Sequence, residues 1–494
     1  MPSRAIQSFQ YQAIQSRLRE NLVRLQSTQL DIASGRRVRS AADDPSGTGR
    51  LLGLDRRRST LERWSTNSDR VYATLSQSAD EIQEAASILA EVRERIIEGL
   101  NGTLTGADRG SLASEIDRSV DQLLLAANAG TDGRYFFAGS AVSQAPFARR
   151  PSADGIERVP YLGDDLEPRV ELATGVTEKT GLAGGRVFGP STQARGDTTY
   201  SGGGTGARSA AGLVDSARGR GSLIVAHVQT SFGAPGSNVA THAASGVALA
   251  TGSASGDTIL GAGHALALVV GAGGDGTASL NGGDPVAFSA GDADVEVTGP
   301  GGERVRIDAS GAIAGYSGTA TLGATGSLNA DGGQNTIAID FAATSVTLKT
   351  GDGRTSFVDP RNIRKAGTER TVYTGTVDPF DALLAVRDLF RLNGNAAETA
   401  VALADVREYL GEIDRSRDRL LSALSDIAGG AARAEATQSR IEDAKVRLDG
   451  DRSKIRDVDL AEATTRLASQ DDAYQASLLI AARVNQTSLL DFLR

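Results

Sequence analysis

Cysteine is absent from the 494-residue chain, which excludes disulfide bonds, thiolate metal sites and cysteine nucleophiles. Aromatic residues make up only 4% of the chain, and proline occurs only 12 times. No apolar stretch is long enough to cross a membrane as a helix. The first 30 residues also lack the apolar core of a secretory signal peptide. We therefore expect no membrane insertion, and either a cytosolic location or export by a route that needs no such peptide.

Charge is distributed unevenly along the chain. The formal net charge of −9 argues against a protein that binds nucleic acid or an anionic membrane as a whole. The first sixty residues reverse this sign, with eleven arginines against five acidic residues. Opposite charges at the two ends of the chain would suit ends that pack together. Solvated helix faces whose sign is incidental explain the same distribution equally well.

Two long segments carry seven-residue repeats of apolar residues, the pattern of a coiled coil. The first segment follows Asp44 and Pro45, a good N-cap and first helical residue. At 1.5 Å per residue it would extend about 80 Å, too long for a small globule. Its row is Leu54, Leu61, Ser68, Leu75, Ile82, Leu89 and Ile96. The row near the other end is Val406, Ile413, Leu420, Ile427, Ala434, Ile441 and Leu448. The apolar face of the first segment must pack against other helices, and those after residue 380 are the simplest candidates. The alternative is that the two segments belong to two unrelated helical bundles.

Shorter helices flank these repeats. Residues 5–33 carry a narrow apolar stripe and are predicted to form a first helix, which Gly35 terminates. Thr105 with Asp108 forms a capping box at the start of a third helix. Helix resumes at Asp378, and Asp459 with Glu462 caps a last helix after a predicted break at Asp449–Gly450.

The middle of the chain has the pattern of β structure. Val295 and Val297 alternate opposite Val305 and Ile307 across a glycine turn, which predicts a hairpin. We expect the alternating residues 337–341 to pair in the same way with Val346 and Leu348. We predict an α+β fold: a long antiparallel helical coiled-coil rod made from both chain termini, with β-rich domains inserted in the middle. The chain is predicted to have five parts. These are an N-terminal helical part (1–133), a small β-rich unit (134–190), a Gly/Ser-rich linker (191–221), an inserted β-sandwich-like domain (222–374) and a C-terminal helical part (375–494).

Residues with catalytic potential do not form a recognisable site. His227, His242 and His264 lack metal-ligand spacing, and Gly271–Gly276 matches G-x-G-x-x-G but is followed by turn and strand rather than the required helix. We therefore predict a protein that is not an enzyme, with no catalytic residue, no cofactor and no metal.

Sequence motifs at both ends resemble the flagellin superfamily of bacterial flagellar proteins. The N-terminal motifs run from Gln29 to Leu54, and others follow at Asn101–Thr105, Gly133–Gly139 and Tyr161–Asp164; the C-terminal motifs run from Asp459 to Leu493. Asp-Asp-Pro at Asp43 and the ending Ser-Leu-Leu-Asp-Phe-Leu resemble the hook–filament junction branch more than flagellin itself. The resemblance marks these residues for assembly: Gln29, Leu30, Ser34, Gly35, Asp43, Asp44, Pro45, Leu467, Tyr474, Gln475, Arg483, Val484, Leu489, Leu490, Phe492 and Leu493.

The resemblance implies a structural subunit of the extracellular flagellum, exported without a cleaved signal peptide. Its expected partners are further copies of itself in a helical ring or tube, a neighbouring hook-associated protein, flagellin and an export chaperone. Residues 191–374 exceed the length usual in the family, which leaves the role of the insertion open. Flagellin is the first alternative, and a secreted glycan-binding or adhesive protein is the second.

Overall fold

The computed structural model describes residues 2–151, 156–190, 197–250, 256–332, 335–351, 353–392 and 394–492. It confirms the predicted α+β class, with helices from both ends of the chain and β structure between them. The helices are α1 (Pro2–Ser34), α2 (Pro45–Gly99), α3 (Gly106–Ala127), α4 (Gly184–Val187), α5 (Pro379–Phe390), α6 (Ala396–Arg456) and α7 (Leu460–Phe492).

Local sequence explains where these helices begin. Thr105 and Asp108 form the predicted capping box of α3, each side chain binding the other's backbone N–H. Asp378 caps α5 by accepting a hydrogen bond from the Asp381 backbone at 2.8 Å, with Pro379 at the first position. Asp459 accepts a hydrogen bond from the Ala461 backbone at 2.9 Å and so caps α7.

The chain divides into two compact units, and α2 and α6 contribute residues to both. The first comprises Met1–Tyr72, Val170–Glu178 and Ala432–Arg494, and the second comprises Ala73–Arg169 and Lys179–Ala431. Within the first unit, α2 and α6 are antiparallel: Arg452 contacts Asp55 at 2.8 Å, Asp449 contacts Arg58 at 3.5 Å, and Glu442 approaches Ser65. The partner's number falls as residue numbers rise along α2, which is the signature of antiparallel pairing.

The second unit contains the remaining halves of α2 and α6, together with α3 and α5. Arg93 of α2 contacts Asp414 of α6 at 2.7 Å, so these two halves lie side by side. The predicted heptad residues in this unit are buried, among them Ile82, Ile96 and Ile413. The same unit contains a cluster of aromatic rings, with Phe380 of α5 5.4 Å from Phe147 and 6.3 Å from Phe188 between ring centres.

Six short strands form antiparallel pairs before the main β insertion. They are β1 (Gly130–Thr131) with β2 (Arg134–Tyr135), β3 (Arg150–Pro151) with β4 (Glu157–Arg158), and β5 (Arg169–Ala173) with β6 (Val176–Lys179).

The insertion is a set of antiparallel sheets built on two long strands. Its strands are β7 (Thr198–Ser201), β8 (Arg208–Ser209), β9 (Gly219–Phe232), β10 (Ala248–Leu249), β11 (Gly261–Val270), β12 (Gly276–Leu280), β13 (Val286–Phe288), β14 (Val295–Thr298), β15 (Arg304–Asp308), β16 (Ser317–Ala330), β17 (Ile337–Ala338), β18 (Val346–Lys349), β19 (Thr355–Asp359) and β20 (Gly367–Tyr373). The largest sheet has the order β13-β12-β11-β16-β9-β20-β7, with β17 beside β16, and smaller sheets have the orders β10-β15-β14 and β18-β19-β8.

Two hydrophobic cores fill the insertion. One lies among residues of β11, β12, β14, β15 and β16, including the fully buried Leu268, Val297 and Ile307. The other joins residues of β9, β16, β18 and β19, including Leu328 and Leu348. In each core the largest sheet packs against a smaller one, β10-β15-β14 in the first core and β18-β19-β8 in the second, so the insertion has the layered character of a sandwich.

Three features differ from the sequence-based expectations. Residues 198–221, expected as linker, contain β7, β8 and the start of β9, because backbone pairing with β20 and β19 needs no large side chains. Ile337 pairs with Leu328 rather than with the strand at Val346, which pairs with β19. Helix α6 continues through Asp449–Gly450, since a glycine costs a helix only about 1 kcal/mol and Leu448 is buried there.

The described residues contain no group of three or more histidine or acidic side chains placed to hold a metal ion. Among the described helices, none is long and apolar enough to cross a membrane. The histidines make ordinary polar contacts: His227 with Thr230 at 2.8 Å, His242 with Ser245 at 2.9 Å, and His264 with the Leu260 carbonyl at 2.7 Å.

Candidate assembly surface

Helices α1 and α7, from opposite ends of the chain, pack against each other in the first unit. Thr28 donates a hydrogen bond to Gln470 at 2.7 Å, and Asn21 donates one to Ser477 at 2.9 Å. Moving seven residues back along α1 moves the contact seven residues forward along α7, so the pair is antiparallel. Both contacts are polar, although each helix carries an apolar stripe.

Much of the apolar surface of this helix pair is exposed. Leu30 is 55% exposed on α1, and Leu479 and Ile480 are 69% and 56% exposed on α7. Leu25 and Ala463 are buried, so the pair has only a thin core of its own among the residues described. Exposed apolar surface of this extent on adjacent helices is typical of a surface that another molecule covers.

The connector between α1 and α2 is held against the connector between α6 and α7. The backbone N–H of Arg37 donates to the Arg456 carbonyl at 2.8 Å, and the N–H of Val458 donates to the Gly35 carbonyl at 3.1 Å. Arg36 and Asp457 face each other in an isolated antiparallel bridge. These bonds fix where α1 leaves α2 and where α7 leaves α6, and thereby bring the two terminal helices together.

Two aspartates shape the N-terminal connector. Asp43 accepts hydrogen bonds from the backbone N–H groups of Ser40, at 2.7 Å, and Arg39, at 3.0 Å. Asp44 accepts one from the backbone of Gly47 at 2.8 Å, which caps α2. These backbone donors favour the charged carboxylates, so they lower the pKa of Asp43 and of Asp44 below the ordinary value.

Two glycines allow this geometry. Gly35 ends α1 with a φ of +67°, a left-handed conformation that favours glycine. Gly47 lies directly above the carboxylate of Asp44, where an added Cβ would collide with the side-chain oxygens.

The structure separates the predicted assembly residues into two groups. Gly35, Asp43, Asp44 and Pro45 lie together in the connector, with Ser34 at the end of α1. The others lie along the helix pair: Gln29 and Leu30 are exposed on α1, Leu467 and Tyr474 are half-buried on α7, and Gln475 and Arg483 are exposed. Val484, Leu489, Leu490 and Phe492 belong to α7, but their side chains are outside the described part of the chain, as is Leu493 altogether.

Gly47, Arg37 and Arg456 shape the connector but are not among the residues that the sequence marks for assembly. Gly47 had a signal, because a glycine three residues after an N-cap aspartate is the residue whose backbone the cap would bind. The pairing of Arg37 with Arg456 had none, since it joins two backbones separated by more than four hundred residues.

Comparisons with known proteins point to one group. The model of the bacterial flagellin N-terminal helical region matches residues 7–142, and that of the C-terminal helical region matches residues 410–493. Flagellar hook-associated protein 3 of Escherichia coli is 29% identical over 161 residues, which cover 32% of this chain and 48% of that protein. The Salmonella typhimurium protein of the same name is 28% identical over 161 residues, which again cover 32% of this chain and 48% of that protein. The chain thus spans about half the length of these relatives.

A structural comparison finds the crystal structure of FlgL from Xanthomonas campestris, at 17% identity and a TM-score of 0.42. The match covers 81% of this chain and 99% of that one.

Proposed function

Because the chain belongs to the flagellin superfamily through both of its terminal regions, we propose that it is a structural subunit of the bacterial flagellum, an adaptor that joins hook to filament. It assembles with further copies of itself in a helical ring or tube and performs no chemistry. Flagellin, the filament subunit, is the alternative within the same superfamily.

One observation carries this proposal: the exposed apolar surface of the α1 and α7 pair. Leu30, Leu479 and Ile480 are more than half exposed on two helices that form only a thin core together. Covering such residues with the terminal helices of neighbouring copies removes them from water and supplies the free energy of assembly. Contacts of this kind that do not close on themselves generate helical tubes.

Location and partners follow from the same proposal. The protein lies outside the cell in the flagellum and reaches it by flagellar export without a cleaved signal peptide. A hook-associated protein contacts it on one side and flagellin on the other, and an export chaperone covers its terminal helices before assembly. The connector at Asp43, Asp44 and Pro45 and the residues marked on α1 and α7 form the assembly surface.

An in-frame deletion of the gene tests the adaptor role. The mutant cells should make hooks and export flagellin into the medium, but they should carry no filaments. Re-expression of the chain should restore the filaments. Filaments on the deletion strain would contradict the adaptor role. Loss of the major protein of sheared filaments would identify the chain as flagellin.

A further inference from the structure

An open groove runs along α2 and α6 in the first unit, and its lining residues all belong to these two helices. One cavity of about 550 Å³ is lined by Leu54, Leu61, Trp64 and Leu448, and a second of about 510 Å³ continues it past Ile455. Leu54, Leu61 and Trp64 belong to the predicted heptad rows but are only half-buried, unlike the heptad residues of the second unit. The groove therefore leaves part of the heptad pattern uncovered.

The helices around this groove are strongly basic. Residues 45–64 and 444–456 carry ten arginine or lysine side chains against four acidic ones, in a chain whose net charge is −9. Some of these cations form ion pairs across the helices, as Arg452 does with Asp55. Arg57 and Arg447, which line the groove, have no carboxylate within ion-pair distance among the described residues. The rim of the groove thus presents uncompensated positive charge.

A matching acidic surface exists on the second unit. Residues 80–98 of α2 carry six acidic side chains and two basic ones. Burial raises the pKa of Glu81 above its ordinary value, and the like charges of Glu84 and Asp80 raise it further. Ile97 is 47% exposed on the same segment. Glu94 lies about one helical turn before Ile97, and Glu98 is the next residue.

We infer that the groove between α2 and α6 binds the acidic face of α2, residues 80–98, from a second copy of the chain. Ile97 enters the apolar groove beside Leu61 and Trp64, and Glu94 and Glu98 meet the guanidinium groups of Arg57 and Arg447. An amphipathic helix that places an apolar anchor in a groove with opposite charge at its rim is a recurring mode of recognition.

This contact joins two different surfaces of identical chains. Such a heterologous contact passes from copy to copy without using up either surface, so it extends an assembly rather than stopping at a dimer. The inference rests on the proposed function in that it supplies a second contact of the same assembly, independent of the exposed residues of α1 and α7.

Cysteine cross-linking tests the contact directly, because the chain has no cysteine of its own. One full-length variant carries Leu61→Cys and another carries Ile97→Cys, and the two are mixed at low salt and oxidised. A disulfide requires Cα atoms within about 7 Å, so it reports only close approach. The mixture should give a covalent dimer in clear excess over either variant alone.

Leu125→Cys is the matched control, since Leu125 is an exposed apolar residue of the same unit, on α3, at 74% exposure. Its mixture with Leu61→Cys should give only background. Adding Arg57→Glu and Arg447→Glu to the Leu61→Cys chain should lower the cross-linked yield about tenfold, because like charges then meet at the rim. Adding Glu94→Arg and Glu98→Arg to the Ile97→Cys partner should restore it.

Several results would overturn the inference. They are cross-linking no greater than the Leu125→Cys control, stronger cross-linking of Leu61→Cys with itself, or a charge reversal that its partner reversal does not rescue. None of these results bears on the adaptor role, which the gene deletion tests separately. Conversely, the cross-link could form specifically while the chain is found along the whole filament. Those two results together would support this contact and contradict the adaptor role.

Discussion

The Oδ1 atom of Asp44 accepts a hydrogen bond from the backbone N–H of Gly47 at 2.8 Å, and the missing side chain of Gly47 leaves room for that carboxylate. Asp44 caps the start of α2, and the absence of a Cβ at Gly47 allows its carboxylate to occupy the capping position. Asp44 also lies 3.5 Å from the guanidinium group of Arg37, whose backbone binds Arg456. The start of α2 is therefore tied to the point where α7 leaves α6.

Replacing Gly47 with alanine should weaken this connection. The new Cβ would push the Asp44 carboxylate off the helix end, so we expect the free energy of unfolding to fall by about 1–2 kcal/mol, as for loss of an N-cap. Guanidinium unfolding followed by fluorescence is the measurement, because the single tryptophan, Trp64, lies on α2. Gly49→Ala is the control: nothing surrounds that position, and alanine there should stabilise the helix by up to about 1 kcal/mol. Equal effects of the two substitutions would refute this role of Gly47.

Asp257 should make the β insertion less stable as pH rises. Burial raises the pKa of its carboxyl to about 6, while Thr230 donates to it at 2.6 Å and the Arg306 backbone at 2.8 Å. A raised folded-state pKa means that stability is fully present below the unfolded-state value of 3.8 and is lost as pH rises through about 6.

The variant Asp257→Asn removes this titration and keeps a polar group for both partners. The difference in unfolding free energy, variant minus wild type, should grow by about 1–3 kcal/mol between pH 4 and 7. Calorimetry of both chains across that range measures it. A difference that stays constant with pH would show that Asp257 does not titrate there.

The aromatic cluster should be the most sensitive part of the second unit. Phe380 is fully buried between the rings of Phe147 and Phe188, so Phe380→Ala should cost about 3–5 kcal/mol of stability. The exposed Leu125 offers a control of similar chemistry, and Leu125→Ala should change stability by less than about 0.5 kcal/mol. Thermal unfolding by calorimetry compares them, and a small loss for Phe380→Ala would contradict a tightly packed cluster.

Removal of α7 should separate folding from assembly. A chain that ends before Asp457 loses the partner of α1, so we expect it to remain soluble but not to assemble. The paired substitutions Leu479→Glu and Ile480→Glu should have the same effect without removing a helix, because both side chains are exposed. Ala476→Glu, which adds charge at an exposed small residue of α7, is the control. Motility assays and electron microscopy of complemented cells provide the readout, and normal flagella on cells with the truncated chain would reject this role of α7.

Features set by local sequence were predictable. The cap at Asp44, the capping box at Thr105 and the start of α5 at Asp378 depend on a few neighbouring residues. The heptad row from Val406 to Leu448 is buried throughout, since its period alone selects the face that packs.

Features set by distant residues were not predictable. Thr198–Ser201 pairs with β20 through backbone groups that carry no sequence signal, and the position of β16 between β11 and β9 depends on long connections. The groove at Trp64 was not predictable either. The heptad pattern indicates which residues of α2 face a partner helix, but not where that helix leaves them partly exposed.

Immunogold labelling of intact flagella, with an antibody against residues 222–374, is the most direct test of the adaptor role. If the chain is the adaptor, we expect a single cluster of gold at the point where hook meets filament, with the β insertion on the outer surface. Gold distributed along the whole filament would contradict it and identify the chain as a flagellin.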